Sequence, residues 1–383
     1  MLVFLALAAL ASVHAQTFDP AALASSLNLT SSFNYNFPLA SSLKQYSDTS
    51  TRAGSSYTKG NNATINYMRA NWNLERNNVQ FGRQDLSFVQ DPESSMKSLV
   101  LAAQYPAGSY SHATGGAQFY SAFPNITTSP QAMLLTYSVY FPKNYDFVKG
   151  GKLAGLRGGQ VEGCAGGEKT DGTTCFSARL MWRERGAGEV YVYVPDVNGL
   201  CELPNVICDP KYGISLGRGQ FTFQPGTWND LALYIQLNDP SKANGIIQLW
   251  HNGKKSIDFT NLVLRTSNAI SSVGGQMFST FFGGSDQTWS TPKTQYTYYR
   301  QMAMYAGSGQ QSGAAQSGGQ GAVVSGQASA TSTALNANAA TSTRGTSSSS
   351  ANVPGPTGGA LSTARLNRLI GLVAVAASIA LLV

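Results

Sequence analysis

The feature that most constrains this chain is a train of short β-branched and aromatic runs, each closed by Gly, Pro, Asn or Asp. They fall at 132–141, 152–156, 175–183, 189–194, 220–223, 230–237, 245–251, 276–282 and 295–305. No helical period separates them and no internal repeat is found, so the runs are expected to form antiparallel sheets packed face to face. The fold class is all-β: an antiparallel β-sandwich of the jelly-roll kind over residues 65–306. Residues 16–64 are polar, Ser-rich and weakly periodic, and read as an irregular N-terminal arm with one short helix at 19–27.

Side chains alternate across a strand, so two of these runs state which face does what. In 175–183, Phe176, Ala178, Leu180 and Trp182 point one way, and Ser177, Arg179 and Met181 the other. In 189–194, Val190, Val192 and Val194 share one face, leaving Tyr191 and Tyr193 opposite. The apolar sets belong to the core. A two-strand meander through the turn at 186–188 then sets Ser177, Arg179, Tyr191 and Tyr193 side by side on the outer face, where they are expected to be accessible. The competing reading is an aromatic, polar exterior with no site.

Both ends carry processing signals. Residues 1–15 are an apolar run closing on Val13, His14 and Ala15, a small-x-small cleavage pattern that lacks the usual basic start, and the mature chain is expected to begin at Gln16. Residues 307–360 are Gly, Ser, Ala, Thr and Gln with almost no large apolar residue, which makes them a flexible stalk. Residues 361–383 end in about 15 apolar residues, against the roughly 20 a spanning helix needs. With small residues before them, at Ser349, Ser350 and Ala351 or Gly358, Gly359 and Ala360, they read as a GPI-anchor signal. A tail-anchoring helix is the competing reading. The expected product is a secreted monomeric glycoprotein, held to the outer face of the plasma membrane or cell wall only by that anchor, with glycan acceptors at Asn28, Asn62 and Asn125.

Four cysteines in an oxidising compartment are expected to pair with their neighbours, Cys164 with Cys175 and Cys201 with Cys208. This is one of three possible connectivities, and no CxxC or Cys/His spacing supports zinc instead. The charged fraction is 12%, against about 25% in an ordinary soluble domain, while 42% of residues are hydrophobic. That content buries a core, which excludes global disorder. The formal charge of +7 includes Arg344, Arg365 and Arg368 in the tail, so the globular part is only mildly basic. This is too weak for a nucleic-acid platform but suits a polyanionic ligand.

Glycoside hydrolysis needs two carboxylates facing each other, and beyond Pro130 no two acids stand two apart on one strand face. Serine hydrolysis needs a histidine base, and His112 and His251 lie in no nucleophile motif. No phosphate loop, metal ladder or dinucleotide fingerprint occurs, so no cofactor is expected. β-Elimination on a uronic-acid polymer fits better. It removes the proton beside a carboxylate, which Arg179 or Lys152 can neutralise, and a tyrosine then takes the proton while a tyrosine returns one to the leaving oxygen. A tyrosine base needs neighbouring cations to lower its pKa, and Lys and Arg stand nearby.

The stretch from Phe141 to Gly159, then Cys175-Phe-Ser-Ala-Arg-Leu-Met-Trp-Arg, Gly188-Glu-Val-Tyr-Val-Tyr and Phe281-Phe-Gly-Gly-Ser-Asp resemble the polysaccharide lyase family 14 domain, in particular its fungal branch, over about residues 100–305. The resemblance implies a β-jelly roll with a cationic, tyrosine-lined groove that cleaves alginate or glucuronan. Position by position, it implies that Lys152 is the strand lysine of catalysis, Ser177 and Arg179 the Ser-x-Arg pair, and Tyr191 and Tyr193 the base and acid. The insert at 161–174 departs from viral and animal members, and Arg157 replaces an uncharged residue, which bears on substrate choice. Gln118, Tyr120 and Asp286 are further candidates to line the groove, each also readable as a structural residue, as Lys152 is as a solvated strand-end lysine. A lectin-like module that binds an acidic polysaccharide without cleaving it, or a structural cell-wall protein, are the alternatives in other classes. Intact Lys152, Arg179, Tyr191 and Tyr193 together favour the enzyme.

Overall fold

The computed structural model describes residues 18–46, 63–93, 97–125 and 128–310. The leader, Asn62, nearly all of the stalk and the C-terminal apolar run lie outside them. Among the described residues no helix is long and apolar enough to cross a membrane.

The N-terminal part supplies α1 (Pro20–Ser26), β1 (Leu29–Asn34), α2 (Leu43–Tyr46) and α3 (Ala63–Asn71). Asp19 starts α1 by accepting the N–H groups of Ala21 and Ala22 at 2.9 and 3.2 Å, with proline at the first helical position. Next come β2 (Leu74–Phe81), β3 (Leu86–Val89), β4 (Val100–Tyr105), α4 (Ser111–Thr114), β5 (Ala117–Ala122) and β6 (Ala132–Tyr140). The site-bearing strands follow: β7 (Gly150–Gly159), β8 (Cys175–Arg183) and β9 (Gly188–Tyr193). The chain closes with β10 (Val206–Ile207), β11 (Ile214–Leu216), β12 (Trp228–Gln236), β13 (Gly245–His251), β14 (Lys254–Leu262), β15 (Val273–Phe282) and β16 (Gln295–Gly307).

Two antiparallel sheets form a sandwich. One runs β14-β13-β12-β6-β16-β4-β3, with β1 paired to β16, and the other β10-β11-β9-β8-β7-β15-β5-β2. The arm is therefore tied to the sandwich through β1, and its Tyr35 and Tyr46 enter the core. Between the sheets, Phe176, Ala178, Leu180, Trp182, Val190 and Val192 pack against Leu135, Val139, Leu233 and Ile235. Trp182 is fully buried among Tyr105, Phe141 and Phe282, and its Nε1 donates to the Phe147 carbonyl at 3.2 Å.

The expected run at 220–223 is not a strand; it makes a single bridge, Thr222 to Ala187. Conversely β14 lies where no strand was expected. It is a sheet-edge strand with a largely exposed, lysine-led sequence, which blurs the apolar alternation that marks central strands.

Candidate active site

The outer face of the second sheet carries the site, and strand register assembles it. Ser177 lies opposite Tyr193, Arg179 opposite Tyr191, and Met181 opposite Glu189 across β8 and β9. On the other side of β8, Lys152 pairs with Met181, Gly155 with Arg179 and Arg157 with Ser177. Lys152 and Arg157 are five residues apart, an odd spacing that strict alternation would put on opposite faces. The register shift between Lys152 and Gly155, with Leu153 and Ala154 both in the core, returns them to one face. Further out, β15 brings Phe281 beside Lys152, and β5 brings Gln118 beside Ser279 and Tyr120 beside Met277.

The side chains converge. Lys152 Nζ stands 4.7 Å from the Tyr191 ring centre, 5.4 Å from that of Phe281 and 3.8 Å from Met181 Sδ. Burial among these groups, then repulsion from Arg179 and Arg183, holds the lysine well below its usual pKa against an opposing pull from Glu189. The Arg179 guanidinium lies 5.8 Å from the Tyr193 ring, and its Nη1 donates to Ser279 Oγ at 3.5 Å. Ser279 in turn donates to Gln118 Oε1 at 2.8 Å, and Gln118 Nε2 donates to Tyr120 at 3.1 Å.

Arg179 is 1% exposed, its Nε and Nη2 have no hydrogen-bond partner, and no carboxylate among the described residues forms an ion pair with it. A buried guanidinium in that state is costly unless an anion arrives to satisfy it. The neighbouring arginines are compensated. The fully buried Glu189 pairs with Arg183 and Arg218, both at 2.6 Å, and accepts from Ser215 Oγ. Sequence reasoning passed over Glu189, although alternation along β9 puts it on the same face as Tyr191.

The face assignment holds, but its expected accessibility does not. Tyr191 and Tyr193 are 6% and 5% exposed and Ser177 is buried, because two loops outside the sheet cover them. Ser177 Oγ donates to the Cys164 carbonyl at 2.6 Å, Gly167 N–H to Tyr193 Oη at 2.9 Å, and Gly213 N–H to Tyr191 Oη at 2.8 Å. Both disulfides connect as expected, Cys164 to Cys175 and Cys201 to Cys208, and staple these loops. Lys169 Nζ ties one loop to the other through the carbonyls of Asp209 and Tyr212, at 3.0 and 3.3 Å. A cavity of about 660 Å³ beside Tyr193 is walled by apolar residues such as Val192, Val194 and Pro195, with Glu168, Asp171, Asp196 and Asp209 against the single cation Lys169, a net acidic lining unsuited to a polyanion.

Burial also changes the tyrosine chemistry. Tyr191 is raised above its usual pKa by burial and by Tyr193, with the Gly213 N–H and Arg179 pulling the other way. Of the neighbouring cations Arg179 lowers it as expected, but desolvation outweighs that pull.

The remaining candidates divide. Arg157 is 4% exposed and ion-paired with Glu75 of β2, its guanidinium 5.6 Å from the Tyr120 ring, so it borders the cluster already neutralised. Tyr120 and Gln118 belong to the network around Arg179. Asp286 is exposed and caps a short 3₁₀ turn, accepting from the Thr288 hydroxyl and from the Thr288 N–H at 2.9 Å, and those hydrogen bonds lower its pKa. His112 rests its ring on Phe81 and Phe281, the latter shared with Lys152. His251 belongs to the other sheet, where burial lowers its pKa to about 4. Asn28 and Asn125 are exposed in left-handed backbone turns, and Asn28 Nδ2 donates to the Gly309 carbonyl at 3.3 Å. Asp196, Cys201 and Cys208 lie close together, but both thiols are spent in their disulfide, which leaves no thiolate for a metal.

The sequence profile of Polysaccharide lyase 14 matches residues 93–302, more than half of the chain and all of the strands that build this cluster. The chain belongs to the polysaccharide lyase 14 family. Among solved structures of similar shape is the marine PL-14 alginate lyase from Aplysia kurodai, 37% identical, with a TM-score of 0.53 over 59% of this chain and 88% of that one. Alginate lyase vAL-1 from Chlorella virus is 24% identical with a TM-score of 0.51, covering 61% of this chain and 93% of that one, a likeness of fold. Exolysin of Paramecium bursaria Chlorella virus 1 is 26% identical over 168 residues, 39% of this chain; the match spans 26% of the viral protein's length. In this lyase 14 domain a stapled double loop thus covers the tyrosines, and residues 161–174 form one half of that cover.

Proposed function

We propose that the protein cleaves a polyuronate, alginate or glucuronan, by β-elimination. The observation that carries this reading is Arg179: a buried, uncompensated guanidinium among tyrosines and a lysine, which a uronate carboxylate would satisfy. Docked there, the carboxylate is neutralised by charge-assisted hydrogen bonds, and the neighbouring C5–H becomes acidic. The C5–H pair forms the C4–C5 double bond, the C4–O bond breaks, and the leaving oxygen takes a proton.

The four groups for the two proton transfers are Lys152, Tyr191, Tyr193 and Ser177. A tyrosine serving as both base and acid meets the chemistry. Lys152 Nζ beside the Tyr191 ring, with the lysine shifted down and the tyrosine up, favours a division of labour in which the Lys152 amine takes the C5 proton and a tyrosine hydroxyl gives one to the leaving oxygen. Proton return from lysine to phenolate then resets the site. A secreted, GPI-anchored placement rests on the leader, stalk and apolar tail of the sequence, and release of the protein from cells by phosphatidylinositol-specific phospholipase C tests it.

The function is tested by incubating the protein with polymannuronate, polyguluronate and glucuronan and following the ultraviolet absorbance of the unsaturated product. Its appearance with one polymer assigns the substrate. Binding without product on every polymer supports the lectin-like alternative.

A further inference from the structure

Both signature tyrosines accept a backbone N–H at their phenolic oxygens, and Tyr191 also hydrogen-bonds the Tyr193 side chain. Gly213, at the end of the loop stapled by Cys201–Cys208, donates its N–H to Tyr191 Oη at 2.8 Å, and Gly167, in the loop stapled by Cys164–Cys175, does the same for Tyr193 at 2.9 Å. Residue identity at 213 is set by space. A β-carbon there would lie 2.6 Å from the Val192 carbonyl oxygen, 2.9 Å from the Tyr193 ring and 3.0 Å from the Tyr191 ring, so only glycine lets the peptide come this close. At 167 the backbone itself asks for glycine, with φ at +95°.

We propose that Gly213 is a positioning residue of the elimination, its peptide N–H fixing the Tyr191 oxygen and stabilising the phenolate that forms there. The proposal rests on the lyase reading above. A tyrosine that exchanges a proton with substrate passes through a phenolate whether it acts as base or acid. In this covered site little water reaches that oxygen, so a donor already aimed at it stabilises the charge without reorganisation. A hydrogen bond offered to the charged form favours that form, and the Gly213 N–H does oppose the upward push that burial exerts on Tyr191.

The test is Gly213→Ala in the full protein. Turnover should fall about 10- to 100-fold, the size of one hydrogen bond to a charged oxygen, with KM little changed. The limb of the pH–rate profile governed by Tyr191 should move to higher pH. Spectrophotometric titration should show one phenol ionising later than in wild type, a difference that vanishes when both proteins also carry Tyr191→Phe. A folded variant with wild-type turnover, pH profile and titration overturns the proposal. Should Gly213→Ala fail to fold, amide hydrogen exchange decides: the Gly213 amide should exchange faster in Tyr191→Phe than in wild type or Tyr193→Phe, and equal rates in all three overturn the proposal. A wild-type protein that yields no unsaturated product from any polyuronate sinks the lyase reading instead, and is told apart because the titration and exchange results do not depend on turnover.

Discussion

Arg179 on β8 and Tyr191 on β9 face each other directly across the ladder, and although both turn away from the sandwich core, only 1% and 6% of their surfaces are exposed. A cation and a phenol are thus desolvated together outside the core, beneath two loops. The protein maintains this arrangement at a cost, which gives the first prediction. Replacing Arg179 with Met should stabilise the fold by about 1–4 kcal/mol, because it removes a buried charge that has no counter-ion. The same substitution should abolish turnover. A melting temperature that falls with Arg179→Met would mean that the guanidinium is satisfied in the resting protein.

Tyr191→Phe should cost both function and stability. Loss of the phenolic oxygen should lower turnover about 10²- to 10⁴-fold, the range for a positioned acid–base group. It also leaves the Gly213 N–H buried without an acceptor, which should cost about 1–3 kcal/mol in denaturant unfolding. An unchanged unfolding midpoint would show that the loop over Tyr191 is open in solution.

The lowered pKa of Lys152 predicts a pH-dependent stability of definite sign. The unfolded chain holds the lysine proton up to about pH 10.4, whereas the folded protein releases it earlier. Folding is therefore penalised below the folded pKa, and the penalty fades as pH rises towards the unfolded value. Lys152→Met should be more stable than wild type at neutral pH, with the gap closing as the solution is made alkaline. A gap that is constant from neutral to alkaline pH would contradict the buried lysine.

Face parity on β8 and β9 was legible because both strands keep strict alternation, and Trp182 as a core residue follows from it. Trp182→Ala should cost about 3–5 kcal/mol. What alternation could not supply is whatever depends on partners distant in sequence. The ion pair that neutralises Arg157 comes from Glu75 on another strand, and the cover over Tyr191 and Tyr193 comes from loops whose paths are set by disulfides. The common face of Lys152 and Arg157 needed the β7 bulge, which no local pattern announces. Cysteine spacing did indicate the pairing, since both bridges close short loops.

Those bridges should matter to the site more than to the core. Each short loop is worth roughly 2–3 kcal/mol in the chain-entropy account. Removing Cys164–Cys175 by paired serine substitutions should leave the sandwich folded but release the segment that holds Ser177 and Tyr193. Turnover should then fall while the unfolding transition stays cooperative. Unchanged turnover would show that this loop does not position the site.

The most direct measurement is a parallel assay of wild type, Arg179→Ala and Tyr193→Phe on the polyuronate panel, recording oligosaccharide binding and ultraviolet absorbance of product separately. Wild type should give unsaturated product on at least one polymer, Arg179→Ala weakened binding and no product, and Tyr193→Phe binding with strongly reduced product. Product formation by Arg179→Ala at near wild-type rate would contradict the assigned role of Arg179.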